Sequence, residues 1–147
     1  MKCLSWHEMA AAEPDLAAHG IERLARAPSY LATVRGDGWP RVHPVGPLSI
    51  RDGRLIVPML PTSPKGADLR RTGRYGLHCG VEGASGGGGE LLITGEAIAA
   101  TAGPRDTDEG WVVFELLVGE MLATRYEGCD ARPVRSRWSA LTATPHR

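Results

Sequence analysis

The chain has 147 residues, 17 acidic and 17 basic, with a formal net charge of +0. One domain is expected at this length, large enough to bury about 68–70% of its unfolded surface and to fold around its own core. The balanced charge excludes a whole-surface field that gathers nucleic acid or anionic membrane, and 19 Gly and 11 Pro spread between apolar runs read as turn-rich globular structure rather than disorder.

The first 27 residues predict a helical lead-in of one or two amphipathic helices. Ser5-Trp6-His7-Glu8 fits the S-x-x-E capping box, and Pro14 suits a first helical position. Leu16, Ile21, Leu24 and Ala25 fall roughly on one face, Gly20 is a weak point, and Pro28 ends the segment. His7, His19 and His146 read as surface residues.

From Tyr30 the period changes to that of strands. YLATVRG is β-like and Asp37-Gly38 is a hairpin turn signal. WPRVHPVGPLSI is read as a second strand. Pro40, Pro44 and Pro47 remove three ladder donors, so part of it must be bulged or at an edge. Arg51-Asp52-Gly53 is a turn and RLIVPML a third strand. TSPKGADLRR then predicts one or two turns of helix, with Ser63 as N-cap.

RYGLHCGVE reads as strand four, GASGGGG (83–89) as a loop, and ELLITGEAIAAT as strand five with a bulge at Gly95. TAGPRDTDEG is a polar connection. WVVFELLV and MLATRYE are read as strands six and seven, meeting near Gly119-Glu120, and VRSRWSAL as a last strand. Short strands with closely spaced turns point to a β-barrel or sandwich without internal repeats.

Several patterns carry no chemistry on inspection. The three cysteines, Cys3, Cys79 and Cys129, lie far apart without C-x-x-C spacing, so neither a disulfide framework nor a zinc knuckle is expected. Gly83-Ala84-Ser85-Gly86-Gly87 matches G-x-S-x-G, but glycines and a strand follow it where a nucleophile elbow needs a helix. No G-x-G-x-x-G opens a helix. His43 and His78 have no carboxylate or cysteine at ligand spacing, so no metal is expected. Trp6, Trp39, Trp111 and Trp138 read as core or interface anchors, and Trp138 alternatively as a face for a planar ligand. The N-terminus lacks an apolar signal region and no run reaches the roughly 20 apolar residues of a membrane helix, so a cytoplasmic protein is expected.

The strongest chemical signal is TSPKGADLRR. A helix start offers free N–H groups and a positive dipole end, Thr62 and Ser63 add hydroxyls, and Lys65 adds a compact charge suited to a phosphate. Arg70 and Arg71 reinforce it. Residues 34–74 hold eight positive and three negative charges, while 105–130 hold two and seven.

LATVRGDGWPRVHPV, a turn, RLIVPM, S-x-K-x-x-DLRR, RYGLHCGV and LLITGEA follow one another in an order that resembles the pyridoxamine 5′-phosphate oxidase-like family, the FMN-binding split barrels. The resemblance covers nearly half the chain, and the lead-in helix resembles that of bacterial members. It implies one domain, 1–147, mainly β: a six- to seven-stranded antiparallel split β-barrel over 30–142, with the N-terminal helix and a short helix after the third strand. It implies a homodimer with FMN at the interface, or the deazaflavin F420 as second choice, and oxidoreductase chemistry on a small molecule. A non-enzymatic module that binds or stores flavin or haem is the alternative. The cofactor residues implied are Ser63 and Lys65 at the phosphate, His43 near it, the strands of His43, Pro44, Val45 and Gly46 and of Pro58 and Met59 along the ring and ribityl chain, and Glu90; the residues by themselves add Thr62 and Arg70 at the phosphate and Trp138 over a planar ligand. The oxidase has Ser-Arg-Lys where this chain has Ser63-Pro64-Lys65, and its arginine-rich substrate segment has no close counterpart in VRSRWSAL.

Overall fold

The computed structural model describes residues 1–26, 28–81, 89–100, 110–127 and 132–142. Two helices lead in: α1, Trp6–Ala12, and α2, Pro14–Arg26. Both halves of the capping box form on α1, since the Glu8 N–H donates to Ser5 Oγ and the Glu8 carboxylate accepts from the Ser5 N–H at 2.8 Å. Pro14 is the first residue of α2, as expected. The buried face of α2 differs from the sequence reading. Leu16, Ala17, His19, Gly20 and Arg23 are buried, whereas Ile21 is 50% exposed and Ala25 lies in solvent. His19, read as a surface residue, is buried. Gly20 explains the rotation: the Trp6 ring would lie 2.9 Å from a Cβ there, so the glycine is where α2 approaches α1.

Eight strands follow: β1 Ser29–Val34, β2 Pro40–Val45, β3 Ser49–Arg51, β4 Arg54–Met59, β5 Arg74–Cys79, β6 Glu90–Ala100, β7 Val112–Glu127 and β8 Arg132–Ser139. Helix α3, Pro64–Thr72, lies between β4 and β5. The sheet order is β2-β1-β5-β6-β7-β4-β3, with β8 also on β7, and every pairing is antiparallel. The proline-rich second strand is two pieces, β2 and β3. β2 is an edge strand, where missing proline donors cost no ladder bond.

The run read as strands six and seven is one strand. β7 continues through Gly119-Glu120, with Thr94 opposite Glu120 and Gly95 opposite Val118, so Gly119 is the extra residue of a bulge. The two glycine signals are one feature: a Cβ at Gly95 would run into the Leu117 carbonyl. The bulge lets a 16-residue strand bend and serve two partners. Its first part pairs β4 from Val112 to Glu115; its later part pairs β8 from Glu120 to Glu127. This change of partner splits the barrel.

Alternate residues fill the interior: Leu31, Leu77, Leu91, Ile93, Leu55, Val57, Leu116, Val118 and Met121 are each at most 1% exposed. Burying each such side chain contributes roughly 1.5–3 kcal/mol. Trp6, Met9, Leu16 and Ala17 add the helical layer to the same core, and Cys79 and Trp138 belong to it. The Asp37-Gly38 and Asp52-Gly53 turns form as expected, with positive φ at Gly38, Asp52 and Gly53. Loop 83–88, the connection 101–109, Cys129 and His146 lie outside the described residues.

Candidate functional site

Between the end of β2, the end of β4 and the start of α3 lies an open depression of about 370 Å³. β2 contributes Pro44 and Val45, followed by Gly46; β4 contributes Pro58 and Met59, followed by Leu60; the turn into α3 contributes Thr62, Ser63, Pro64 and Lys65; Trp111, just before β7, completes the wall. The pairing of Met59 with Val112 and Pro58 with Val113 fixes the Trp111 side against β4.

The local sequence makes the turn. The Ser63 N–H donates to the Leu60 carbonyl at 2.9 Å, and Pro64 occupies the first helical position, where an N–H would have no helical acceptor anyway. The first helical bond runs from the Ala67 N–H to the Ser63 carbonyl at 3.1 Å. The Lys65 and Gly66 N–H groups therefore stay free at the helix start. Gly73 closes α3 in the left-handed conformation, its N–H on the Leu69 carbonyl.

Ser63 stands at the N-cap position, but its side chain does not cap. Its Oγ is buried, with no hydrogen-bond partner, in a residue 8% exposed. The expected cap bond to the Lys65 or Gly66 N–H does not form, and Oγ is left without a partner. Two residues on, Lys65 has neither an ion pair nor a hydrogen bond among the described residues. Lys65 is the one ionisable residue of the lining, which contains no carboxylate. Two free N–H groups, two hydroxyls and one ammonium beside an apolar wall form an arrangement suited to a planar apolar body with an anionic end.

A buried carboxylate ties the two sides together. Asp68 of α3 accepts from Arg41 Nε of β2 at 2.8 Å, from Thr33 Oγ1 of β1 at 2.8 Å and from an Arg71 guanidinium nitrogen at 3.0 Å. Burial alone would raise the Asp68 carboxyl, but hydrogen bonds from Arg41, Arg71 and Thr33 outweigh it and hold the group below its ordinary value.

Of the twelve residues named from the sequence, eight line this depression: Pro44, Val45, Gly46, Pro58, Met59, Thr62, Ser63 and Lys65. His43 is on β2 beside Pro44, paired with Leu31, and is exposed. Arg70 is exposed on α3 and donates to the Pro61 carbonyl at 3.4 Å. Glu90 and Trp138 do not line it. Glu90 bonds His78 Nε2 at 3.2 Å and Thr124 Oγ1 at 3.0 Å; the His78 hydrogen bond leads the causes that lower its carboxyl below the ordinary value. Trp138 is 6% exposed, inside the core. The sequence reading missed Leu60, Pro64 and Trp111 as lining. A tryptophan standing just before an apolar strand was the one available signal. Among the described residues no group of three or more His, Cys, Asp or Glu is placed to hold a metal ion, and no helix is long and apolar enough to cross a membrane.

The chain is similar in fold to several solved structures. PhzG from Burkholderia lata 383, in complex with tetrahydrophenazine-1-carboxylic acid, matches at TM-score 0.63 and 18% identity, over 91% of this chain and 87% of that one. A Clostridium acetobutylicum protein related to general stress protein 26 of B. subtilis, of the pyridoxinephosphate oxidase family, matches at TM-score 0.63 and 9% identity, over 90% and 99%. HutZ, the heme storage protein of Vibrio cholerae, matches at TM-score 0.55 and 14% identity, over 73% and 89%. No family model and no curated protein matches the chain. These likenesses show the fold, a split barrel of the pyridoxamine 5′-phosphate oxidase type, in agreement with the sequence resemblance.

Proposed function

We propose that the chain is a flavin-dependent oxidoreductase that binds FMN in this depression and acts on a small molecule as a homodimer. The observation that carries the reading is Ser63 Oγ, buried and unpartnered beside the unpaired Lys65 at the start of α3. A buried hydroxyl left without a partner costs about 1–3 kcal/mol, a cost relieved by an acceptor such as a phosphate oxygen. The residues fit the group. Ser63, Lys65, Thr62 and the first N–H groups of α3 would hold the phosphate; Pro44, Pro58 and Met59 would flank the apolar part. Bound there, FMN would supply two-electron redox chemistry. The protein's part is to fix the phosphate and to keep the ring against rigid proline-bearing strands. No acid or base lines the depression apart from Lys65, so the lining itself does not exchange protons with a carboxylate or imidazole. F420, which also carries a phosphate, is the second choice of cofactor.

The homodimer is supported by the outer face of the sheet, where Tyr30 is 44% exposed and Val42 61%. Such apolar side chains on a sheet face suit a second copy. A second reading, a non-enzymatic haem- or flavin-binding module, is favoured by the fold shared with HutZ.

The purified protein tests both. Flavin absorbance near about 450 nm, or binding of added FMN or F420, supports the first reading. A Soret band without flavin binding supports the second. A chain that binds neither flavin overturns the proposal. Reduction by NAD(P)H with turnover separates enzyme from store.

A further inference from the structure

The four tryptophans occupy four different settings. Trp6 and Trp138 are buried in the core at 2% and 6% exposure, and Trp39 is 70% exposed just after the β1–β2 turn. Trp111 alone among them lines the depression, 38% exposed. Its position is anchored by the adjoining ladder, Val112 with Met59 and Val113 with Pro58. Its indole N–H has no hydrogen-bond partner among the described residues. It therefore has a held backbone, a ring partly open to solvent, and an uncommitted donor, all in the wall of the depression that also holds Ser63 and Lys65.

A tryptophan that merely filled the barrel would be covered like Trp6. One that merely decorated the surface would not line a depression shared with Leu60 and Met59. An open aromatic face beside flat apolar walls favours a planar π-system, because offset stacking adds attraction to the removal of both faces from water. We infer that Trp111 is the stacking wall for the planar ring of the ligand whose phosphate is held at Ser63 and Lys65. This rests on the proposed flavin reading, and assigns to Trp111 the role that the sequence alone offered to Trp138.

The test is an FMN titration of the purified full chain, read by tryptophan emission and by flavin absorbance, on wild type, Trp111→Phe, Trp111→Ala and the control Trp39→Phe. Stacking predicts strong quenching in wild type and Trp39→Phe, and loss of most of that quenching in Trp111→Phe. It predicts FMN affinity within about threefold of wild type for Trp111→Phe, and roughly 5- to 100-fold weaker for Trp111→Ala, on the scale of base–aromatic stacking. Thermal melting of each variant establishes that it is folded; Trp111→Phe keeps an apolar ring there and carries the quenching test if Trp111→Ala does not fold. Unchanged quenching in Trp111→Phe, or wild-type affinity in folded Trp111→Ala, overturns the assignment and leaves the flavin reading standing. Absence of FMN binding to the wild-type chain overturns both.

Discussion

Arg41 Nε lies 2.8 Å from the Asp68 carboxylate, joining β2 to α3. β2 carries one wall of the depression and α3 begins at its anion-binding groups, so this pair is a direct side-chain tie between them. The Asp68 side chain is 4% exposed, which makes the contact a buried one on that side.

Asp68→Ala is predicted to destabilise the fold by roughly 1–3 kcal/mol, since it leaves Thr33 and the partly exposed Arg41 and Arg71 without their shared acceptor. Denaturant unfolding measures it. Because the Asp68 carboxyl is held below its ordinary value, its stabilisation is full above the unfolded pKa of about 4 and is lost as pH falls through the lowered folded value. An acid limb of the stability curve that is the same in wild type and Asp68→Asn would refute this account of the clasp.

Ser63→Ala separates stability from binding. It removes a buried hydroxyl with no partner, so the apo protein should be as stable as wild type or more so. FMN binding should weaken at the same time. A loss of apo stability in melting experiments would mean that Ser63 Oγ serves the fold.

Lys65→Ala is predicted to weaken FMN binding by about 1.5–3 kcal/mol, the contribution of a hydrogen bond to a charged group. The melting temperature should not move, because Lys65 holds no ion pair among the described residues. Titration calorimetry measures the first and thermal melting the second; unchanged affinity would remove the phosphate from this site.

His19 makes the stability pH-dependent on the neutral side. Burial, then the charge of Arg125, pushes its imidazole below the ordinary value. The unfolded chain therefore binds the proton more readily. The stabilisation is complete above about pH 6.5 and is lost as pH falls below that toward the folded pKa. Melting temperatures between pH 7.5 and about 5 should fall in wild type and fall less in His19→Leu.

Gly20→Ala tests the helix pair. Alanine normally favours a helix by about 1 kcal/mol over glycine. At this position the new Cβ meets the Trp6 ring at 2.9 Å and the Met121 methyl at 3.2 Å, both in buried side chains. A net loss of roughly 1–3 kcal/mol is expected. A gain in stability would show that α1 and α2 are free to separate.

Local signals alone determined much of this protein. The capping box at Ser5 and Glu8, Pro14, the Asp-Gly turns and the helix at Ser63 are decided within a few residues of the chain, so composition and spacing carry them. The prolines of β2 likewise announced an edge. Of the eight lining residues named from the sequence, Thr62, Ser63 and Lys65 were legible in the local pattern, and Pro44, Val45, Gly46, Pro58 and Met59 only through the family resemblance. What tertiary structure decided were relations between distant segments. Whether Gly119 ended a strand or bulged it depended on Gly95 across the ladder, because one continuous β6 keeps both halves of β7 in a single strand. Which face of α2 is buried depended on Trp6 fitting over Gly20, which turned His19 inward and Ile21 out. Trp138 and Trp111 are alike as sequence signals; packing sent one into the core and left the other at the wall of the depression. The loss of the Ser63 cap bond, with the hydroxyl left buried beside a lysine, is likewise a matter of three-dimensional placement, and it turns a helix start into a candidate anion site.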